Sequence, residues 1–194
     1  MIRPYLILAL ALGLGACTAG DQRSADSAPA AAPAGSDTAP AEAAARGPAS
    51  PRDTVRGTIG SASVLVDYGR PSRRGREIFG SLVPFGQVWR SGANAATTLV
   101  LGAPVSIGGQ PLDAGTYTLY SLPRADGWTL IVNGQTGQWG TEYAESRDVL
   151  RVPLDRSSVA AVDTFTISIE SGDPEGRLLL AWDTLQGAVS VRAR

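Results

Sequence analysis

The chain has 194 residues, a formal net charge of -1, no histidine, no lysine and a single cysteine, Cys17. That inventory excludes a Ser-His-Asp triad, a Cys-His dyad, a His- or Cys-based zinc site and Schiff-base chemistry. Asp/Glu, Tyr, Ser/Thr, backbone donors and oxygen-bound metals are what remains for any catalysis, and the length suffices for one domain with a real core plus extra segments.

Residues 1–16 read as a signal peptide. Arg3 supplies a positive start, and Leu6 to Leu14 form an apolar run shorter than the about 20 residues of a membrane span. Leu14-Gly15-Ala16-Cys17 resembles the bacterial lipoprotein signal, in which the cysteine becomes the lipidated first residue of the mature protein. The resemblance implies acylation (palmitate-type chains) at Cys17 and a membrane as partner, because two or more acyl chains hold a protein stably on a bilayer. Thr18 stands where that signal's inner-membrane retention rule wants aspartate. The expected location is therefore extracytoplasmic, on the outer membrane facing the periplasm if the host has two membranes.

Residues 17–52 hold that cysteine and an Ala/Pro/Ser/Gly-rich segment interrupted by Pro29, Pro33, Pro40, Pro48 and Pro51. It carries too little apolar surface to offset its ordering entropy and reads as a disordered tether, with an end-to-end distance on the order of 30 Å.

From Asp53 to Arg194 the pattern changes to period-2 alternation and β-branched runs. They are SVLVDY (63–68), TTLVLG (97–102), PVSIGG (104–109), GTYTLYSL (115–122), WTLIVN (128–133), VLRVPL (149–154), DTFTISIE (163–170), RLLLAWD (177–183) and AVSVRA (188–193). Phe165, Ile167 and Ile169 share one face, and Thr164, Thr166 and Ser168 the other. Turn signals at Gly108-Gly109, Asn133-Gly134, Gly172-Asp173-Pro174 and Gln186-Gly187 separate the runs. About nine strands at this spacing predict an all-β domain, an antiparallel β-sandwich in preference to a barrel. Short helices are expected around Tyr143 to Asp148 and in Gly75 to Leu82. Residues 69–98 and 133–148 are long insertions between strands, where binding function usually sits.

Arg70, Arg73, Arg74 and Arg76 fall within seven residues of the first insertion. Arginine suits bidentate recognition of carboxylate or phosphate. The competing reading is a loop of solvated guanidiniums or of arginines clamped to nearby acids. Arg70 and Arg76 are expected to be ordered and partly buried, either bracing this loop against the insertion carrying Trp139 or lining a pocket with Arg90, and Arg73, at the loop apex, to be solvated and dispensable. Trp89, Arg90 and Asn94 combine an aromatic face, a cation and a carboxamide, a set suited to sugars or peptide termini. Against this stands Trp89 as a core plug, Arg90 paired internally and Asn94 capping a turn. Trp139 marks the second insertion. The acids Glu77, Glu142, Glu145 and Asp148 are the carboxyls available for glycan hydrolysis, though nothing pairs them in sequence. Glu170, Asp173 and Glu175 fit a hairpin turn better than a calcium loop. No cofactor and no metal are expected. Nucleic acid is not expected either, since residues 53–194 balance 13 Arg against 14 Asp plus Glu.

YGRPSRRGREIFG, LVPFGQVWRSGANAATT, LDAGTYTLYSLP, WTLIVN and QWG together resemble the bacterial domain of unknown function 2911 family, from about Val55 to Val191. The resemblance implies a secreted or lipid-anchored all-β domain and brings no activity and no catalytic residue. Ser91 stands for the family's usual threonine, and Ala95 for its usual glutamate. The reading is a membrane-anchored envelope lipoprotein whose domain is a non-catalytic binding module for an envelope glycan, peptide, protein or anionic ligand. Its candidate contacts are Arg70, Arg74, Arg76, Trp89, Arg90, Asn94 and Trp139. A carboxylate-dependent glycan hydrolase and a purely structural envelope domain are the alternatives.

Overall fold

The computed structural model describes residues 49–194, so the expected signal peptide, Cys17 and nearly all of the expected tether lie outside the described residues. Among the described residues ten strands form two antiparallel sheets. They are β1 (Arg52–Ile59), β2 (Ala62–Gly69), β3 (Thr97–Leu101), β4 (Val105–Ile107), β5 (Gln110–Leu112), β6 (Gly115–Pro123), β7 (Trp128–Asn133), β8 (Asp148–Pro153), β9 (Asp155–Glu170) and β10 (Glu175–Ala193). The larger sheet runs β1-β2-β3-β6-β7-β8 and the smaller β5-β4-β10-β9. Nearly every connection within the larger sheet joins neighbours, so its register follows from alternation and turns.

The two sheets face each other across one core. Val64, Val66 and Tyr68 of β2 and Leu99 and Leu101 of β3 meet Phe165 and Ile167 of β9 and Leu178, Leu180 and Trp182 of β10. Each set alternates with more exposed residues, the signature of a strand buried on one face. The Tyr68 hydroxyl crosses between the sheets: the Ile167 amide donates to it at 2.9 Å, and burial raises its pKa. A corner is closed where Ile59 of β1 bridges Gly172 of the β9–β10 turn.

Five features differ from the sequence expectations. β1 was not expected, because RDTVRGTI is a polar edge strand in which only Ile59 is fully buried. PVSIGG divides into β4 and a tight turn at Gly108 (φ 54°) and Gly109 (φ 80°), and β5 returns from it. Gly187 is no turn residue but an interior position of β10. A Cβ there would meet Leu154 and Trp128 carbons at 2.8 and 2.9 Å, so the glycine is needed for packing. The expected helices are absent: Glu145–Arg147 is a single 3₁₀ turn, and residues 75–82 are turns. β9 also begins eight residues before its expected start at Asp163. Near Asp183 (φ 53°) its register with β10 breaks, and three residues of β9 (159–161) oppose Thr184 alone.

Candidate functional site

The first insertion, residues 70–96, is held at both ends by backbone pairing. Leaving β2, it runs along β9: the Phe165 amide donates to the Pro71 carbonyl at 2.9 Å and the Arg73 amide to that of Asp163 at 2.7 Å. Arg74 (φ 51°) and Gly75 (φ 71°) reverse the chain, and Ile78 plugs the core. The strand then reaches β6. Trp89 and Ser121 exchange two backbone hydrogen bonds, at 2.7 and 2.8 Å, in the lane that β3 leaves empty beyond Leu119. Alternation in that lane sends Trp89 inward, stacked on Trp182 (centroids 5.5 Å, 19° between planes) and edge-on to Phe165 at 4.8 Å. Its neighbour Val88 packs outward on a second small cluster of Tyr120, Leu122 and Ile131.

The second insertion, residues 134–147, is fixed by a polar network. The Tyr143 hydroxyl donates to Asp148 at 2.7 Å, and Arg151 donates to that carboxylate (2.7 Å), to the Tyr143 oxygen (2.7 Å) and to Glu145 (2.9 Å). Buried Asn133 donates to the other Asp148 oxygen at 2.8 Å and to the Ala144 carbonyl at 2.9 Å. Burial first, and then the accepting Asp148 carboxylate, push the Tyr143 phenol up to about 12. Tyr120 is raised as well, mainly by burial; its hydroxyl donates to the Glu142 carbonyl at 3.0 Å and accepts from Gln138 at 3.1 Å. Both phenols are therefore protonated at neutral pH and already engaged.

The insertions meet. Ala95 bridges Trp139, and the Gly140 amide donates to the Asn94 carbonyl at 3.0 Å. A Cβ on Gly140 would sit 2.7 Å from Arg90 Cδ and 2.8 Å from the Asn94 oxygen, so only glycine permits this approach. Asn94 itself adopts φ 64°, a conformation asparagine tolerates better than most residues. Between the insertions, at the end of the sandwich, lies a cavity of about 410 Å³, within the range of small-molecule sites.

Four of the seven candidate ligand contacts line it: Arg76, Trp89, Arg90 and Asn94. Arg76 is oriented by its own loop, donating to the Arg73 carbonyl at 3.0 Å and that of Ser72 at 2.8 Å. Arg90 donates to the Gly92 carbonyl at 3.3 Å. Among the described residues neither guanidinium has a carboxylate within ion-pair distance, and the cavity lining contains no Asp or Glu. The other three candidates lie elsewhere. Arg70 braces strands, donating to Asp53 of β1 at 3.1 Å and to Thr166 of β9 at 3.0 Å, rather than to the Trp139 insertion. Arg74 points its guanidinium at the Ala49 carbonyl, 3.3 Å away, and is exposed. Trp139 is 50% exposed and outside the lining.

Two sequence expectations are corrected. Arg73 is not a solvated apex residue; it is partly buried and ion-paired with Asp183 of β10. Arg76, expected to be partly buried, is exposed at the cavity mouth. The cause is the β-bulge at Asp183, which presents its carboxylate under the loop. Arg73→Ala is expected to lower stability by about 1 kcal/mol, the scale of a half-exposed pair that loses one partner. Arg76→Ala should change it by less than about 0.5 kcal/mol. Urea melts of the two variants compare them directly, and equal losses would contradict the assignment.

The acids weighed for hydrolysis do not reach the cavity. Glu145 and Asp148 are committed to Arg151, and Glu77 and Glu142 are exposed outside the lining. In the β9–β10 turn, Glu170 pairs with Arg177 and Glu175 with Arg192. Several wall residues escaped the sequence reading: Tyr120, Tyr143, Gly140 and Trp182. One signal was present. Leu119, Tyr120 and Leu122 put apolar groups on both faces of β6, and Leu130-Ile131-Val132 do the same on β7, which demands cover on the outer face of the sheet.

Of the positions that depart from the usual motif, Ser91 is fully buried and its hydroxyl donates to that of Ser121 at 3.0 Å, while Ala95 lies beside Trp139 and not in the cavity wall. No curated protein and no solved structure matches the chain. A family model described as protein of unknown function (DUF2911) matches residues 50–191. That span takes in both sheets and both insertions, and the chain belongs to the DUF2911 family.

Proposed function

We propose that this protein is a non-catalytic binding module of the bacterial envelope, anchored through a lipid on Cys17, and that its cavity receives an anionic group. One observation carries the reading. Arg76 and Arg90 line the same cavity, each held by its own loop's backbone, and among the described residues the lining has no carboxylate to neutralise them. An incoming carboxylate or phosphate would form charge-assisted hydrogen bonds with guanidiniums that line a partly enclosed space and have no counter-charge there.

The test is calorimetric titration of the protein with acetate and with inorganic phosphate at low salt. Binding is expected, and Arg90→Gln should weaken it at least about ten-fold, the scale of one lost charged hydrogen bond. Absence of binding, or binding indifferent to Arg90→Gln, would overturn the reading. The anchor is checked separately: Cys17→Ser should abolish labelling by a radioactive fatty acid, and persistent labelling would remove the anchor from the proposal.

A further inference from the structure

We infer that the anion is the head of an amphiphile: a carboxylate or phosphate carried on an apolar chain or ring, not a small inorganic ion. The inference rests on the anion-binding reading of this cavity and adds the nature of the ligand's body. Three observations point to it. The lining that holds Arg76 and Arg90 also includes apolar carbon, from Val88 and the Trp89 indole, both only partly buried. Leu82, at the same cavity, leaves 43% of its surface in water, although the adjacent Val83 is fully buried. An aliphatic side chain held exposed at the rim of a charged cavity offers a surface that an apolar ligand body would cover.

The third observation concerns acceptors. Sugars and ammonium groups bring several hydrogen-bond donors that need acceptors, and carboxylates are the side chains best suited to take them. Among the described residues this lining has none. Its two phenols are occupied, Tyr143 by Asp148 and Arg151, and Tyr120 by the Glu142 carbonyl and Gln138. What the cavity supplies is guanidinium donors, the Asn94 carboxamide and the Thr141 hydroxyl, beside ring faces and aliphatic carbon. The complement of that surface has acceptors at one end and carbon along the rest.

Carboxylate and phosphate heads share this chemistry, and a test with two arms separates them. The full chain carrying Cys17→Ser, so that no acyl group of its own competes, is titrated with acetate, hexanoate and hexanol, and with inorganic phosphate and hexyl phosphate. Each methylene that enters the apolar wall is worth about four-fold in affinity. Hexanoate or hexyl phosphate should therefore bind at least about ten-fold more tightly than the headgroup alone and more tightly than hexanol. The headgroup that binds more tightly by itself, acetate or inorganic phosphate, identifies the head. Leu82→Ser should cut that gain by about four-fold or more. If the short and long anions bind equally, or if Leu82→Ser leaves the gain intact, the amphiphile is overturned while the anion site stands. If no anion binds at all, the reading beneath it falls too.

Discussion

Phe165→Ala is expected to cost about 3–5 kcal/mol of stability, the range of large aromatic truncations in a core that cannot collapse around the gap. Phe165 has no exposed surface. Its ring is edge-on to Tyr68 at 5.8 Å, to Trp89 at 4.8 Å and to Trp182 at 5.9 Å. Such aromatic pairs add about 0.5–1.5 kcal/mol each beyond their buried area. The three partners come from β2, from the first insertion and from β10, so no single element can move to fill the space. The loss would be a large part of the about 5–15 kcal/mol that holds a typical domain together. It would also leave Trp89 and Trp182, both in the cavity wall, without their shared support. Urea denaturation followed by tryptophan emission measures the loss, and a change below about 1 kcal/mol would show that the cluster is not a packed unit.

Gly69→Val acts on the same site from the other side. Gly69 ends β2, and the insertion comes back over it: a Cβ there would meet the Ala93 carbonyl oxygen at 2.2 Å and its carbon at 2.9 Å. The obstruction is backbone, so no rotamer change relieves it, and residues 92–94 must shift. Overpacking of this kind costs about 1–3 kcal/mol, and valine at a backbone contact belongs at the upper end. Arg90 and Asn94 move with the displaced segment. Anion affinity should therefore fall by more than the stability loss alone explains. Gly75→Ala is the control, because no atom lies within 4 Å of its virtual Cβ. It should cost only the roughly 1 kcal/mol of holding alanine at positive φ. Melts and acetate titrations of the pair decide, and a Gly69→Val protein as stable as the parent would mean that the insertion is not held against β2.

The β-sandwich was legible because most of its strands are buried on one face and therefore alternate. Residues 163–170 and 63–68 carry that signal in their own spelling. Strands that bury little do not: β1 and the first half of β9 are polar or small along both faces, and they form because a neighbour supplies the ladder. Gly187 was misread because a glycine that lets two elements touch and one that turns the chain look alike in sequence. The site was half legible. Trp89, Arg90 and Asn94 sit in one short run whose composition is informative by itself. The separate roles of Arg73 and Arg76 were not, because the partner that decides them, Asp183, lies 110 residues from Arg73.

The break in register near Asp183 bears on how the molecule avoids its own kind. β9 is an outer strand of the smaller sheet, and a long straight one would offer unpaired amides and carbonyls to any strand of another molecule. Its carboxyl-terminal part is shielded where Pro71 and Arg73 pair with Phe165 and Asp163. Its beginning carries Asp155 and Arg156, both exposed. The apolar run Val159 to Val162 lies between them, and there three residues crowd against one across the ladder, so the strand bends and twists instead of lying flat. The free rim is thus cut into pieces too short and too irregular to template a growing stack. Asp183 therefore serves twice, as the anchor of the arginine loop and as the kink that keeps this rim from polymerising.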